Sequence, residues 1–222
     1  DNGFSEGFVE NPRLPPLYIM LLLAGAKLGF GLDIVGIFIS VVSGALLVFP
    51  VYLIARSIFS KISLALVSAI LIAVYPNIAR VGAEVLRDSL YQLLSTSSLA
   101  MIIAGISAKK KYFFIFAGMF AALGAATRSE GIEILYAITI YVSVETFVRI
   151  VAKQKLSAIL FDNILVLAIF ATAFFATVFP LERAVNRTKS QWSVFDKRAV
   201  NFLKEFFHNP NEKKSEPKGY TF

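Results

Sequence analysis

Six apolar runs separated by short charged connectors dominate the chain, at about residues 34–59, 62–78, 89–107, 112–127, 132–148 and 159–179. Crossing the hydrocarbon core of a bilayer takes roughly 20 apolar residues of helix, and a helix satisfies its own backbone hydrogen bonds there. With 57% hydrophobic and 17% charged residues, the chain is too apolar for a soluble domain, and its runs are too many for a single anchor. The fold class that follows is all-α, a polytopic membrane helical bundle of about six spans with an outward surface helix and a short soluble C-terminal helix. The absence of cysteine excludes a disulfide framework, a thiolate metal site and a cysteine nucleophile, and a lone histidine, His208, excludes a multi-histidine metal site.

The connectors are ordered by charge. Arg56 with Lys61, the run Lys109-Lys110-Lys111, and Arg149 with Lys153 and Lys155 alternate with connectors of mixed or acidic charge. Basic loops stay on the cytoplasmic side, so the net charge of +7 sets topology here rather than marking a nucleic-acid partner. The stretch at 84–92, the break at 128–131 and the C-terminal tail then face outward. A seventh apolar stretch, 15–32, is interrupted by Lys27 and three glycines and opens on Pro15-Pro16, which suits a helix start. Counting it as a span would put the acidic N-terminus inside, so it is expected to lie along the outer surface. Gly36, Ser40 and Gly44 recur every four residues and place a small-residue face on the first span for close helix contact.

These features divide the chain into an outward loop and surface helix (1–33), a transmembrane bundle (34–180) and an outward polar tail (181–222). In the tail, Trp192, Phe195, Ala199, Leu203 and Phe206 recur at helical spacing, so 193–207 is expected to form an amphipathic helix. Asn186-Arg187-Thr188 matches a glycosylation acceptor triplet. Residues 1–13 hold no signal-peptide core and no initiator methionine, so the N-terminus is read as a cut within a longer chain.

Ionisable side chains at the edge of a bilayer are costly and mark candidate sites. Asp88, with Glu84 one turn before it, supplies the candidate catalytic carboxylates, placed to take a proton from a hydroxyl or to orient it. The plainer reading is an acidic helix start favoured by the helix dipole and paired to Arg87 or Arg80. Arg128 and Glu130 occupy the outward break; at a spacing of two they do not face each other along a helix, so no simple intrahelical pair is expected between them. A guanidinium at Arg128 suits an anionic phosphate, or it snorkels to lipid headgroups. Arg13 and Arg87 offer further cations on that side, Arg13 also reading as an ordinary exposed loop arginine, and Tyr91 follows Asp88 by one turn.

Four elements in order carry a family resemblance: Arg-x-Pro-Pro-Leu-Tyr at 13–18, Tyr-Leu-Ile-Ala-Arg at 52–56, Tyr-Pro at 75–76 followed by Glu-x-x-Arg-Asp-Ser-Leu-Tyr at 84–91, and Ala-Ala-Thr-Arg-Ser-Glu-Gly at 125–131. Together they resemble the multi-span GT-C glycosyltransferases of the dolichyl-phosphate-mannose protein mannosyltransferase and aminoarabinose transferase type. The resemblance implies a polyprenyl-phosphate sugar donor entering from the bilayer, transfer to an acceptor on the outer or lumenal face, and inversion at the anomeric carbon. It matches Asp88 to the acidic position of the second outward loop, Arg13 to the cation near the donor phosphate, Arg128 to the arginine of a Thr-Arg-x-Glu-Gly segment, and 15–32 to a surface helix. The family's main carboxylate lies in a first outward loop after a span not found in this sequence, which makes the chain read as a fragment.

The expected activity is therefore sugar transfer in protein glycosylation or a related pathway, with Asp88 and Glu84 catalytic, Arg13, Arg87 and Arg128 on the donor phosphate, and Glu130 and Tyr91 beside them. The partners are the lipid-linked donor, membrane lipid, and a protein, lipid or glycan acceptor, with no nucleic acid. No cofactor follows from the residues; a divalent metal is left open. The location is a bacterial or archaeal cytoplasmic membrane, or the endoplasmic reticulum membrane in a eukaryote. The competing readings are a multi-span transporter or non-catalytic subunit, against which the charges sit at span ends and no internal repeat is seen, and an inactive truncated remnant.

Overall fold

A computed structural model of the chain describes residues 15–59, 61–76, 78, 85–153 and 156–186. Every regular element among them is helical: α1 (Pro16–Lys27), α2 (Leu32–Leu46), α3 (Val48–Phe59), α4 (Ile62–Ala73), α5 (Asp88–Ala108), α6 (Phe113–Ala125), a 3-10 turn (Ser129–Ile132), α7 (Glu133–Val151) and α8 (Leu156–Asn186). Arg13, Glu84, Arg80, the glycosylation triplet beyond Asn186 and the amphipathic stretch at 193–207 lie outside the described residues.

Four helical segments are long and apolar enough to cross a membrane: Leu32–Phe59, Asp88–Ala108, Ser129–Val151 and Ile159–Val185. Two of the six expected spans are shorter as helices, α4 with 12 residues and α6 with 13. At 1.5 Å per residue these reach only about 18 to 20 Å. α4 stops because Pro76 follows, and a residue just ahead of proline is steered away from helical torsions; the last turn closes by Val74 N–H donating to the Ile70 carbonyl at 3.0 Å. α2 and α3 form one span broken at Leu47. Pro50 has no N–H for the Leu46 carbonyl and crowds it, which interrupts the regular helix at that turn.

One expected boundary is displaced. The last span does not end at Pro180, because α8 carries the proline inside it and continues to Asn186. Phe170, Phe174, Val178 and Val185 recur on one face of α8 and are all buried. Packing along that stripe holds the helix across the one backbone bond the proline removes, a tolerance common in membrane helices.

The bundle packs small residues inside and large ones outside. Ala117, Ala121, Ala122 and Ala125 on α6 are buried between α5 and α8 with Ile102, Phe114, Ile138, Phe170 and Phe174. Phe38, Phe49, Leu71, Phe147 and Phe161 are exposed. Between helices in lipid there is little hydrophobic drive, so close backbone approach through small residues does the work. Gly118 marks the close crossing of α6 and α8: a Cβ there would sit 2.4 Å from the Phe170 carbonyl oxygen. A second cluster of Tyr18, Leu90 and Leu94, with Leu17, Leu22, Ile39, Phe120 and Leu123 around it, ties α1, α2, α5 and α6 together beneath the start of α5.

Candidate functional site

The chain enters α5 along the small-residue face of α2. A Cβ on Gly36 would lie 2.4 Å from Val85 Cγ1, and the buried Ser40 hydroxyl donates to the Leu86 carbonyl at 3.0 Å. That face receives Val85 and Leu86 of the segment leading to Asp88, with the Tyr18 side chain of α1 also against Gly36. Arg87 is the N-cap residue and Asp88 the first residue of α5, where a carboxylate is favoured by the helix dipole.

The opposing side is the segment after α6. The Thr127 hydroxyl donates to the Leu123 carbonyl at 2.9 Å, and the Arg128 N–H caps the helix on the Gly124 carbonyl at 2.9 Å. Arg128 itself is extended, with φ −144° and ψ 143°, before the chain winds into the 3-10 turn. Gly131 lets that turn sit against α6: a Cβ on it would meet Ala125 N at 2.3 Å and Ala125 Cα at 2.5 Å. The start of α1 joins the same place, Leu17 N–H donating to the Ala126 carbonyl at 2.9 Å.

These elements bring Asp88, Arg128, Glu130 and Tyr91 into one cluster. Arg128 Nη1 pairs with Asp88 Oδ1, while Nη2 and Nε grip the two oxygens of Glu130 at 2.9 and 3.2 Å. The Arg128 guanidinium centre lies 5.7 Å from the Tyr91 ring centroid, within the range of a cation–π contact. The Arg128–Glu130 pair forms by a route other than the intrahelical one that the spacing rules out. Residues two apart cannot meet along a helix, but Arg128 is extended and its side chain turns back over the 3-10 turn. Of the two arginines named for Asp88 in the plainer reading, Arg80 lies outside the described residues and Arg87 forms no ion pair with it among them; Arg128 does. Arg87 is half-buried and acts on Glu130 through its charge.

The Arg128 guanidinium is held charged even more firmly than usual, first by Glu130, with Asp88 adding and burial opposing. These three contacts use three of its five N–H donors. Asp88 Oδ2 carries no ion pair or hydrogen bond among the described residues. The side chains of Arg128 and Asp88 are 29% and 32% exposed, so the pair is reachable from solvent without lying fully open. Among the described residues no group of three or more metal-ligating side chains forms; Asp88 and Glu130 both face the guanidinium.

Two contributors were not singled out from the sequence. Glu133, the first residue of α7, acts on the Tyr91 hydroxyl through its charge; acidic residues at 130 and 133 opening a helix were the available signal. Tyr18 is buried in α1 with its hydroxyl unpartnered among the described residues. Burial pushes that hydroxyl above its ordinary pKa, Ser40 acting the other way. In the sequence Tyr18 stands out only as the end of the Arg-x-Pro-Pro-Leu-Tyr element, which does not announce such a place.

A family model described as dolichyl-phosphate-mannose-protein mannosyltransferase matches residues 13–175, about three quarters of the chain. No curated protein and no solved structure matches it.

Proposed function

The chain belongs to the dolichyl-phosphate-mannose-protein mannosyltransferase family, a family of membrane glycosyltransferases, and from that premise we propose that it transfers a sugar from a polyprenyl-phosphate donor to an acceptor at the membrane face where Asp88 and Arg128 meet. The observation that carries the reading is the cluster itself. A carboxylate at a helix start and a guanidinium from a separate connector meet at a membrane-helix end, inside the matched region.

In the proposed reaction the acceptor hydroxyl oxygen bonds to the anomeric carbon as the bond from that carbon to the phosphate oxygen breaks. The electron pair leaves with the phosphate, and the hydroxyl proton passes to a carboxylate. Asp88 takes that proton through the oxygen that Arg128 does not hold, with Glu84 as the second carboxylate. Arg87, Arg128 and Arg13 stabilise charge on the departing phosphate, as cations aimed at developing charge do. Glu130 positions Arg128, and the Tyr91 ring packs beside its guanidinium. Support for Arg13 comes from chain connectivity, since it precedes by two residues the Pro15-Pro16 start of α1, which is tied to Ala126.

The same reading keeps six spans, counting α4 and α6 with their flanking turns, an α1 that lies along the surface, and basic connectors on the cytoplasmic side. The site then faces outward or into the lumen, with the polar tail on that side. Transfer from a polyprenyl-phosphate sugar by the protein in vesicles tests the reading. Asp88→Asn should lower transfer about 10²- to 10⁴-fold, the usual worth of a general base, with the protein still inserted. Undiminished transfer by that variant removes Asp88 from the mechanism; no transfer by the wild type from any such donor overturns the reading.

A further inference from the structure

The opposite end of α5 from Asp88 carries a second polar site. Lys109 takes a left-handed conformation, φ 54°, and turns the chain sharply, so Lys109, Lys110 and Lys111 project from one tight connector. The last turns of α7 and the first turns of α8 close against it. Between them lies a cavity of about 530 Å³ lined by the three lysines, Glu145, Arg149, Asp162 and Asn163 on its polar side. Ile106, Phe114 and Val166 form its apolar wall.

The charges in this cavity do not balance. Lys111 Nζ binds Asp162 Oδ1 at 2.9 Å, Arg149 approaches Asp162 Oδ2 at 3.9 Å, and Arg149 also pairs with Glu145. Four cations thus face two carboxylates, both already engaged, and Lys109 and Lys110 form no ion pair among the described residues. Lys110 Nζ stands 6.0 Å from the Tyr112 ring centroid instead. The cavity is open enough for a ligand, since the Lys111 and Asp162 side chains are 42% and 49% exposed.

Its level and its walls identify the ligand class. The 21 residues of α5 separate it from Asp88 by about 31 Å, close to the thickness of a hydrocarbon core. It therefore stands at headgroup depth of the leaflet opposite the Asp88–Arg128 cluster. Phe147, Val148, Phe161 and Ile164 on the flanking turns are exposed, an apolar surface against which acyl chains pack. A small inorganic anion needs the cations alone; a phospholipid uses the cations, the apolar wall and the flanking surface together. We propose that the cavity bounded by Lys109, Lys110, Lys111 and Arg149 binds the phosphate headgroup of an anionic phospholipid from that leaflet. Basic pockets between membrane helices are known to serve this purpose. The bound lipid joins the α5–α6 connector to the ends of α7 and α8, and this holds whatever reaction the opposite end performs.

The full chain is reconstituted in nanodiscs of phosphatidylglycerol and phosphatidylcholine, and the lipids retained after mild extraction are counted by native mass spectrometry. The wild type should retain phosphatidylglycerol in preference. The double variant Lys109→Gln/Lys110→Gln should lose about fivefold of that preference per lysine, the usual effect of one cation near an anionic surface. Asp162→Asn should raise it, because Lys111 and Arg149 are released to the ligand; a gain in one variant and a loss in the other separates binding from damage to the fold. Added inorganic phosphate should leave the retained lipid in place. No preference in the wild type, or an equal preference in all three proteins, overturns the proposal. Displacement of phosphatidylglycerol by phosphate alone overturns the lipid assignment in favour of a small-anion site.

Discussion

Gly131→Ala tests whether the backbone approach of the 3-10 turn to α6 is what sets the Asp88–Arg128 pair. The new Cβ would stand 2.3 Å from Ala125 N, and ordinary contact begins at 3.4 Å, so the turn must retreat by 1.1 Å (3.4 − 2.3). All three nearest atoms are backbone, so no side chain can swing aside. Arg128 precedes the turn and Glu130 lies within it, so their pair moves with it. The Asp88 contact crosses to α5, so a retreat of this size weakens it. Overpacking of this kind costs about 1–3 kcal/mol; about 2 kcal/mol lowers the melting midpoint of a chain this size by roughly 4–8 °C. Thermal unfolding in detergent reads that shift, and Asp88→Asn in both backgrounds reads the coupling. In the wild type that substitution removes the Arg128 pair and the favourable helix-start charge; in Gly131→Ala the pair is already weakened and less remains to be lost, and the difference should be on the order of 1 kcal/mol for neighbouring groups. An Asp88→Asn cost equal in the two backgrounds would refute the reasoning.

Three further outcomes follow from the same contacts. Gly118→Leu, whose Cβ alone would lie 2.4 Å from the Phe170 carbonyl, should separate α6 from α8 and destabilise by about 3 kcal/mol; an unchanged melting curve contradicts the close crossing. Tyr91→Phe should leave stability nearly unchanged because the ring over Arg128 remains, whereas Tyr91→Ala should cost about 0.5–1 kcal/mol for the cation–π contact alone, measured by the same unfolding. Cysteines at Lys110 and Ser129 should react with an impermeant thiol reagent from opposite sides of the membrane, and labelling from one side sinks the proposed topology.

Apolar runs were readable because their length alone distinguishes them, and the start of α5 falls at Asp88, within one residue of the expected 89. Helix ends were less readable. α4 stops at Ala73 rather than near Ile78 because proline acts on residues before it, and α8 passes through Pro180 because a buried stripe outweighs one missing bond. The small-residue face of Gly36, Ser40 and Gly44 announced close contact but not its partner; that Val85 and Leu86 occupy it depends on how the chain returns from α4. Asp88, Arg87, Tyr91, Arg128 and Glu130 were each legible as charged or aromatic residues at span ends. Their pairing was not, since rules of helical spacing do not apply to an extended Arg128. α6 is apolar around its circumference and α5 spreads its small polar residues around its own, so periodicity gave no sign of which faces would meet.

From α5 onward the charged residues fall into two levels. Asp88, Arg128, Glu130 and Glu133 meet at one, and Lys109, Lys110, Lys111, Glu145, Arg149 and Asp162 at the other, with no Asp, Glu, Lys or Arg at 89–108, 112–127, 134–144 or 163–181. On α8 the 20 residues from Asp162 to Glu182 span about 30 Å, the same interval that α5 sets between Asp88 and Lys109. That spacing matches a hydrocarbon core and bears on the proposed crossing of α6. Its 13 helical residues are too few by length, yet Lys111 before it belongs to one level and Arg128 after it to the other. Hydrogen bonds from Phe113 and Phe114 back to the Lys110 and Lys111 carbonyls, and from Ala126 and Arg128 to Ala122 and Gly124, extend the wound backbone at both ends. A helix buried between α5 and α8 need not present a full-length apolar surface to lipid, because its neighbours do so. On this view the shortness of α6 is a consequence of its burial, and its small side chains let the carrier of Arg128 reach Asp88 at the end of a different helix.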